Sequence, residues 1–281
     1  MTHVRDSAEV LLRWAAAAEN EDERSAIMRS LHGRTDRPSF EAVCAYARSS
    51  DARERTAGLD VLGQIGYRAG RPFREETLPV ILGCCEDDRP DVLNSAIVAL
   101  GHLADLRGLP AVLRAATNPS GQVRFAAAVA LPAVAGDPPA GEAVAALIGL
   151  TADPDPEVRD WATMGLSSTR ADSAAVRGAL AARLTDQEGD TAGEALLGLA
   201  ERKDPGALAP LLAWLDNGHP GNLVVKAAAA LGAAEALPAL LRLQGEDWQD
   251  SDCRPSALGA AIAACSPQAA PVPGAGPAAE V

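Results

Sequence analysis

The sequence predicts an all-α protein made of repeated helical hairpins, and three observations support this fold class. The first is composition, since 60 of the 281 residues are alanine and only nine are Phe, Tyr or Trp. Alanine is the best helix former, whereas β-branched and aromatic residues favour strands. The second is a motif that recurs every 30 to 38 residues, and the third is the helical spacing of apolar residues inside each copy.

The recurring motif is clearest at residues 153–166, DPDPEVRDWATMGL. Residues 118–131 and 88–101 repeat it, with a valine, small residues and a leucine in the same places. Weaker copies of the motif occur as well. The position that corresponds to Val158, here called the anchor, then falls at 54, 92, 123, 158, 188 and 223. Self-similarity at a period of roughly 20 to 50 residues is the sequence signature of a solenoid or another array of structural repeats.

Each copy of the motif predicts a first helix with one buried face. Apolar or small residues stand at i, i+3, i+4, i+7 and i+8, as at Val123, Ala126, Ala127, Ala130 and Leu131. A second apolar stretch follows each first helix, so the unit is a helical hairpin. The second helices are predicted over residues 78–85, 109–116, 144–150, 176–184, 208–215 and 237–243.

The sequence of these hairpins predicts an α-solenoid, a superhelix of antiparallel helix pairs, with more than about 60% helix. The motif D-P-x-x-x-V-R-x-x-A-x-x-A-L resembles the bacterial HEAT-like repeat of the PBS-lyase type over residues 50–245. In such repeats the motif Asp and Arg tie one repeat to its neighbour. The resemblance therefore implies structural roles for Arg124 and Arg159, while Asp155 is placed to cap its helix.

Three copies lack the arginine of the motif. Leu93, Gly189 and Val224 stand in its place in the copies at 92, 188 and 223, and those joints are expected to be looser. Residues 1–49 are predicted to form divergent capping helices and residues 50–265 the solenoid, with a last helix at 257–265. Residues 266–281 are rich in Pro, Gly and Ala, which predicts a disordered tail.

Charge and cysteine usage exclude several classes of function. The formal net charge of the chain is −13, and its 25 Lys and Arg residues form no cluster along the sequence. Both observations argue against nucleic acid and anionic membranes as partners. The start of the chain lacks the pattern of a signal peptide, and no apolar run has the length of a membrane span, so a cytoplasmic protein is expected. The 23 Arg against 2 Lys, with abundant Ala, resemble the usage of a high-GC bacterial source. Cys84 and Cys85 are interpreted as buried packing residues at a helix end.

No set of residues in the sequence predicts catalysis. We therefore expect that the protein is not an enzyme and that it binds no cofactor or metal. The four histidines, His3, His32, His102 and His219, lie far apart, and none has a neighbouring Glu, unlike those of the HEAT-like hydroxylases that hold iron. Residues 153, 155 and 157 are acidic and alternate like calcium ligands. Prolines at 154 and 156 favour helix capping instead.

The predicted function is a non-catalytic scaffold or adaptor that binds another protein on a concave surface formed by second helices. The candidate contacts are Arg114, Arg177, Arg183 and Trp214. Trp161 on a first helix is interpreted as a packing residue. Two alternatives remain open: an immunity- or antitoxin-type inhibitor of a basic protein, from the acidic charge, and a lyase or modification-enzyme subunit of the bilin-lyase-like class.

Overall fold

The computed structural model describes residues 7–217, 220–246 and 255–267. Within these ranges the fold is all-helical, with 74% helix, sixteen α-helices and no strand. The predicted all-α fold of sequential helical hairpins is therefore confirmed. By internal contacts the chain divides into two compact units, Met1–Ala195 and Leu196–Val281.

The N-terminal unit begins with three helices that precede the hairpins. Each starts at a residue whose side chain accepts hydrogen bonds from backbone N–H groups of the first turn: Ser7, Asn20 and Asp36. Such caps satisfy donors that have no partner inside the helix. The helices are α1 (Ala8–Ala17), α2 (Glu21–His32) and α3 (Arg37–Ala47).

Four complete hairpins follow in this unit, and each second helix falls on a predicted apolar stretch. The first helices pack on one another along the chain, α4 on α6, α6 on α8 and α8 on α10. The pairs are α4 (Ala52–Leu62) with α5 (Arg74–Cys84), α6 (Pro90–Leu103) with α7 (Leu109–Ala115), α8 (Gly121–Val134) with α9 (Gly141–Leu150), and α10 (Pro156–Ser168) with α11 (Ala174–Arg183). Helix α12 (Gly189–Glu201) then runs to the end of the unit and into the next.

The C-terminal unit continues the same alternation. Its core contains the fully buried residues Leu211, Leu215, Val225, Leu240 and Ala261. Residues 247–254 and 268–281, which include nearly all of the predicted tail, lie outside the described residues. The helices after α12 are α13 (Leu208–Asp216), α14 (Asn222–Leu231), α15 (Leu237–Gly245) and α16 (Pro255–Cys265).

Small side chains let the first helices approach closely. In α8 the predicted stripe, Val123, Ala126, Ala127, Ala130 and Leu131, is fully buried. Glycines occupy the points of closest approach between neighbours. A Cβ added to Gly63 would lie 2.8 Å from Cα of Ala99, and one added to Gly101 would lie 3.0 Å from Cα of Ala130. Alanine and glycine at these contacts therefore set a short distance between successive first helices.

A common turn precedes the first helices α4, α6, α8, α10 and α12. Its leading side chain accepts a hydrogen bond from the backbone N–H two residues later. Such turns are favoured by Asp, Asn and Ser, whose short polar side chains reach their own backbone. The leading residues are Ser49, Asp87, Asn118, Asp153 and Asp186.

This turn corrects the register of one repeat. The buried anchor follows the leading residue by five positions, as Val158 follows Asp153, and this places the anchor of α12 at Thr191. The anchor predicted at 188 is therefore wrong by three residues. A shift of three keeps the same helical face, so the alanines of α12 fit the pattern in either register. Ala192, and not Gly189, occupies the arginine position of this copy.

The described cysteines are packing residues. Cys44, Cys84, Cys85 and Cys265 are free and buried, and burial raises the pKa of the Cys85 thiol to about 12. The thiol of Cys84 donates to the carbonyl oxygen of Ala47 at 3.3 Å. None of the helices within the described ranges combines the length and apolarity needed to cross a bilayer.

Replacing Gly58 by alanine is expected to destabilise the protein, although alanine is the better helix former. The new Cβ would lie 2.4 Å from the backbone nitrogen of Ala47, which has no freedom to move aside. We expect a loss of about 2–3 kcal/mol in the free energy of unfolding, measured by urea titration.

Gly178→Ala is the matched control, because a Cβ at this position in α11 meets nothing within 4 Å. It should gain about 0.5–1 kcal/mol from helix propensity. Equal effects of the two substitutions would contradict the close contact between α3 and α4.

Candidate functional site

An arginine of one hairpin clamps the turn that begins the next. Nε of Arg124 in α8 lies 2.7 Å from Oδ2 of Asp153, and Nη2 lies 2.9 Å from Oδ1. Nη1 donates at 3.0 Å to the carbonyls of Asn118 and Pro119, in the turn before α8. One guanidinium thus joins its own turn to the turn before α10, as planar bidentate geometry allows.

The same clamp occurs at the next joint. Nε and Nη2 of Arg159 in α10 lie 3.1 and 3.2 Å from the two carboxylate oxygens of Asp186. Nη1 donates to the carbonyls of Asp153 and Pro154 at 3.1 and 3.3 Å. The side chains of both aspartates are buried, and the hydrogen bonds from their arginines are the main cause that lowers the pKa of Asp153 and of Asp186.

A third clamp was missed in the sequence. Arg55 in α4 donates through Nη1 at 3.0 Å to the carbonyls of Ser49 and Ser50. Its Nε lies 2.8 Å from Oδ2 of Asp87, without the alignment of a hydrogen bond, while Nη2 donates to Oδ1 at 3.3 Å. Arg55 directly follows the anchor at 54, so the repeat register carried the signal that would have identified it.

The joint after α6 has neither partner of the clamp. Leu93 stands in the arginine position, and the following turn begins with Asn118 in place of an aspartate. The two substitutions match, because an aspartate at 118 would be a partly buried charge without the paired guanidinium of the preceding repeat. Asn118 keeps the turn by accepting from the N–H of Ser120 at 2.9 Å.

Asp155 caps α10. Its Oδ1 accepts from the N–H of Glu157 at 3.0 Å, while its own N–H donates to Asp153 at 3.0 Å. The alternating acids at 153 and 155 therefore serve one clamp and one cap. In the part of the chain that the structure describes, no three His, Cys, Asp or Glu side chains converge as metal ligands.

The predicted partner-binding arginines of the second helices are each paired with a carboxylate of a nearby turn. Arg114 in α7 donates to Glu86 at 2.7 Å, and this pair is well exposed, at 58% and 74% of the two side chains. Arg177 in α11 makes two 2.7 Å hydrogen bonds to Asp172. Nη1 of Arg183 lies 3.2 Å from Oδ2 of Asp186. The carboxylate of Asp186 therefore pairs both with Arg159 of the clamp and with Arg183 of the second helix.

The structure brings only some of these residues together. Arg177 and Arg183 share α11, and Arg114 lies on α7, with α9 packed between the two helices. The solvent side of α9 and α11 consists largely of alanine and glycine, as at Ala145 and Gly178. Trp214 is half-buried on α13 and belongs to the C-terminal unit.

The first helices carry a different surface around Trp161. Its ring packs edge-on against Phe125, with 5.9 Å between centroids, and the residue remains 37% exposed. The neighbouring Asp160 accepts from the hydroxyl of Thr191 at 3.1 Å. Burial is the main cause that raises the pKa of this aspartate, which is therefore part of the packing between α10 and α12.

Histidines that are remote in sequence meet in a cavity. His32 at the end of α2 and His102 near the end of α6 line a space of about 260 Å³, with Asp60 of α4 between them. His32 ends α2 and His102 lies near the C-terminal end of α6, and α4 contacts both helices. Aligning helix ends, and not only the motif at helix starts, would have revealed this juxtaposition.

Comparisons with known proteins bear on the fold. No family model matches the chain. Protein YibA of Escherichia coli (strain K12) is 32% identical over 94 residues, a stretch that spans 34% of this chain and 34% of YibA. The X-ray structure of YibA superposes with a TM-score of 0.71 at 22% identity and covers 93% of both chains.

Two further solved structures share the architecture. Kap95p, solved with RanGDP, gives a TM-score of 0.64 at 17% identity over 93% of this chain and 40% of that chain. The CpcE–CpcF complex of phycocyanin lyase from Nostoc sp. PCC7120 gives 0.50 at 18% identity over 83% and 97%. The resemblance to HEAT-like repeat proteins is confirmed, and at these identities the likeness concerns the fold.

Arg124→Ala is expected to lower the free energy of unfolding by about 2–3 kcal/mol, because it leaves the buried carboxylate of Asp153 and two turn carbonyls without their donor. Urea titration measures the loss. Arg114→Ala is the control, since it removes an exposed pair and should cost no more than about 0.5 kcal/mol. A loss no larger than that of the control would contradict a structural role for the clamp.

Acid should weaken the clamps. Because the folded pKa of Asp153 lies below its unfolded value, its contribution is full above about pH 4 and is lost as the pH falls through the folded pKa. Asp153→Asn is therefore expected to be less stable than the wild type at neutral pH, with a difference that shrinks below about pH 4. Thermal unfolding across this range measures it. Glu142→Gln, at the exposed start of α9, is the control and should unfold like the wild type across this range. If the stability difference between Asp153→Asn and the wild type did not change with pH, the role of the ionised Asp153 in the clamp would be contradicted.

Proposed function

We propose that this HEAT-like repeat protein is a non-catalytic scaffold that binds another protein through the second-helix surface of its N-terminal unit. The observation that carries the proposal is the set of ordered guanidiniums on that surface: Arg114, Arg177 and Arg183, each oriented by a carboxylate. A side chain that is already held in place loses less conformational entropy when a partner binds.

The surface suits a protein partner. Arginine offers planar donor groups to carboxylates and carbonyls, and it is common at the energetic centres of interfaces. The small residues between α7 and α11 leave room for a partner backbone to approach. Net charge would act at longer range by steering a partner that carries a basic region, while the arginines fix local register. The structure of Kap95p with RanGDP shows the same fold used for binding a protein.

The proposal also includes a cytoplasmic location and the absence of catalysis. Free, buried thiols such as those of Cys84 and Cys85 suit a reducing compartment, so the scaffold would act in the cytoplasm. The lyase alternative draws only on the fold likeness to CpcE–CpcF at 18% identity. Trp214 in the C-terminal unit would add a separate aromatic contact.

Inhibition of a basic protein is the second candidate function. It is favoured by the first-helix surface, where the partly exposed Trp161 lies beside Asp160 and near the exposed Glu157. A basic side chain would find both a carboxylate and an aromatic face there. The two candidates therefore use opposite helices of the same hairpins and are separable by mutation.

The test compares the partners captured from the native host, and their affinities, for two variants. A triple variant, Arg114→Ala, Arg177→Ala and Arg183→Ala, is expected to weaken binding of the captured protein by more than about 1 kcal/mol. Trp161→Ala with Glu157→Ala should leave it within about 0.5 kcal/mol. The reverse outcome would replace the scaffold proposal by the inhibitor alternative.

A charge-matched control separates local contact from steering. Arg13, Arg53 and Arg170 are exposed and lie outside the second helices. Replacing these three by alanine changes the net charge by the same amount as the test variant. If this control weakens binding as strongly, long-range charge and not the second-helix surface determines affinity.

A further inference from the structure

The cavity between α2, α4 and α6 is lined by two arginines and two histidines. Arg24 and Arg29 of α2 line it together with His32, and His102 closes it from α6. Its volume of about 260 Å³ is just below the range of pockets that hold drug-sized ligands. The space therefore fits a small molecule or a single functional group.

His32 has an unsatisfied nitrogen at this cavity. Its Nε2 is buried and has no hydrogen-bond partner. A hydrogen bond to the backbone of Asp60 holds the imidazole, while desolvation is the main cause that lowers the pKa of His32. Buried polar atoms in proteins nearly always have a partner, so a ligand atom that hydrogen-bonds to Nε2 would complete the site.

The charges around the cavity favour an anion. The carboxylate of Asp60, which also faces it, is paired with the guanidinium of Arg24. No ion pair joins Arg29 to any other residue within the described ranges. With neutral imidazoles, the two arginines and one aspartate leave the lining with a net positive charge, in a chain whose formal charge is −13. The guanidinium of Arg71 adds positive potential at His102.

We propose that this cavity binds the phosphate group of a small molecule, with Arg29, His32 and His102 as its contacts. Hydrogen phosphate carries a P–OH group beside its charged oxygens near neutral pH, and a phosphate monoester does so as its monoanion, below its second pKa of about 6. The P–OH can donate to the neutral Nε2 of His32, or its proton can pass to that nitrogen, which then donates to the phosphate oxygen. Either way one proton lies between the two, and no other group has to gain or lose one. A carboxylate lacks this donor when ionised.

The site is tested by NMR of the histidine side chains during titration with inorganic phosphate and with glycerol phosphate, at pH 6.5 and constant ionic strength. The resonances of His32 and His102 should move together and saturate over one phosphate concentration range. Saturating phosphate should raise the apparent pKa of the two cavity histidines, because the anion stabilises their protonated forms. Affinity should then fall as the pH rises, as the imidazoles lose their protons.

Variants decide whether the cavity is the site. Arg29→Gln and His102→Gln change exposed side chains and should each weaken phosphate binding at least fivefold, whereas Arg13→Gln on α1 should leave it unchanged. Glycerol phosphate binding at least as tightly as inorganic phosphate would support a monoester ligand. Unmoved cavity histidines up to about 20 mM phosphate, equal effects of Arg29→Gln and Arg13→Gln, or equally tight binding of acetate would overturn the proposal.

Discussion

The order of the hairpins in the N-terminal unit depends on the clamp between an arginine and the next turn. The alanines and glycines at the contacts between successive first helices bury little apolar area, so these contacts alone define the position of one hairpin on the next only weakly. The guanidinium of Arg124 or Arg159 supplies direction, because its planar donors fit two carboxylate oxygens and two carbonyls in a single arrangement. Each clamp holds three segments: the first helix, the turn before it and the turn that starts the next repeat.

Close packing and clamping occur together at the joint between α4 and α6. Gly63 lets these two helices approach closely, and the same joint holds the contact between Arg55 and Asp87. Gly101 allows a similar approach between α6 and α8, where the clamp is absent. At the opposite end of the hairpins, cations again bind backbone carbonyls. Arg74 donates to Leu103 and Ala104 at the C-terminus of α6, and in the C-terminal unit Lys203 donates to the last carbonyls of α14. Positive charge at a helix C-terminus is favourable for the helix dipole.

The fold was readable from sequence because it is local and periodic, whereas the candidate sites were not. Anchors such as Val123 and Val158 and the apolar second helices repeat at a spacing that marks their buried faces directly. The error at α12 arose because a slip of three residues keeps the helical face. The partners of Arg114, Arg177 and Arg183 lie in neighbouring turns that no residue pattern marks. His32 and His102 meet only because α2, α4 and α6 lie side by side, and the motif at helix starts says nothing about helix ends.

The spacing of the clamps has a consequence for how the chain forms on the ribosome. Each arginine bonds to an aspartate that follows it by 27 to 32 residues: Arg159 to Asp186, Arg124 to Asp153 and Arg55 to Asp87. A hairpin that has just emerged therefore has its arginine but not yet the carboxylate that fixes it. It becomes fixed only when the first turn of its successor has been synthesised, so order propagates from the N-terminus one repeat behind elongation. At Leu93 this signal is absent, and the start of α8 is joined to α6 without a clamp.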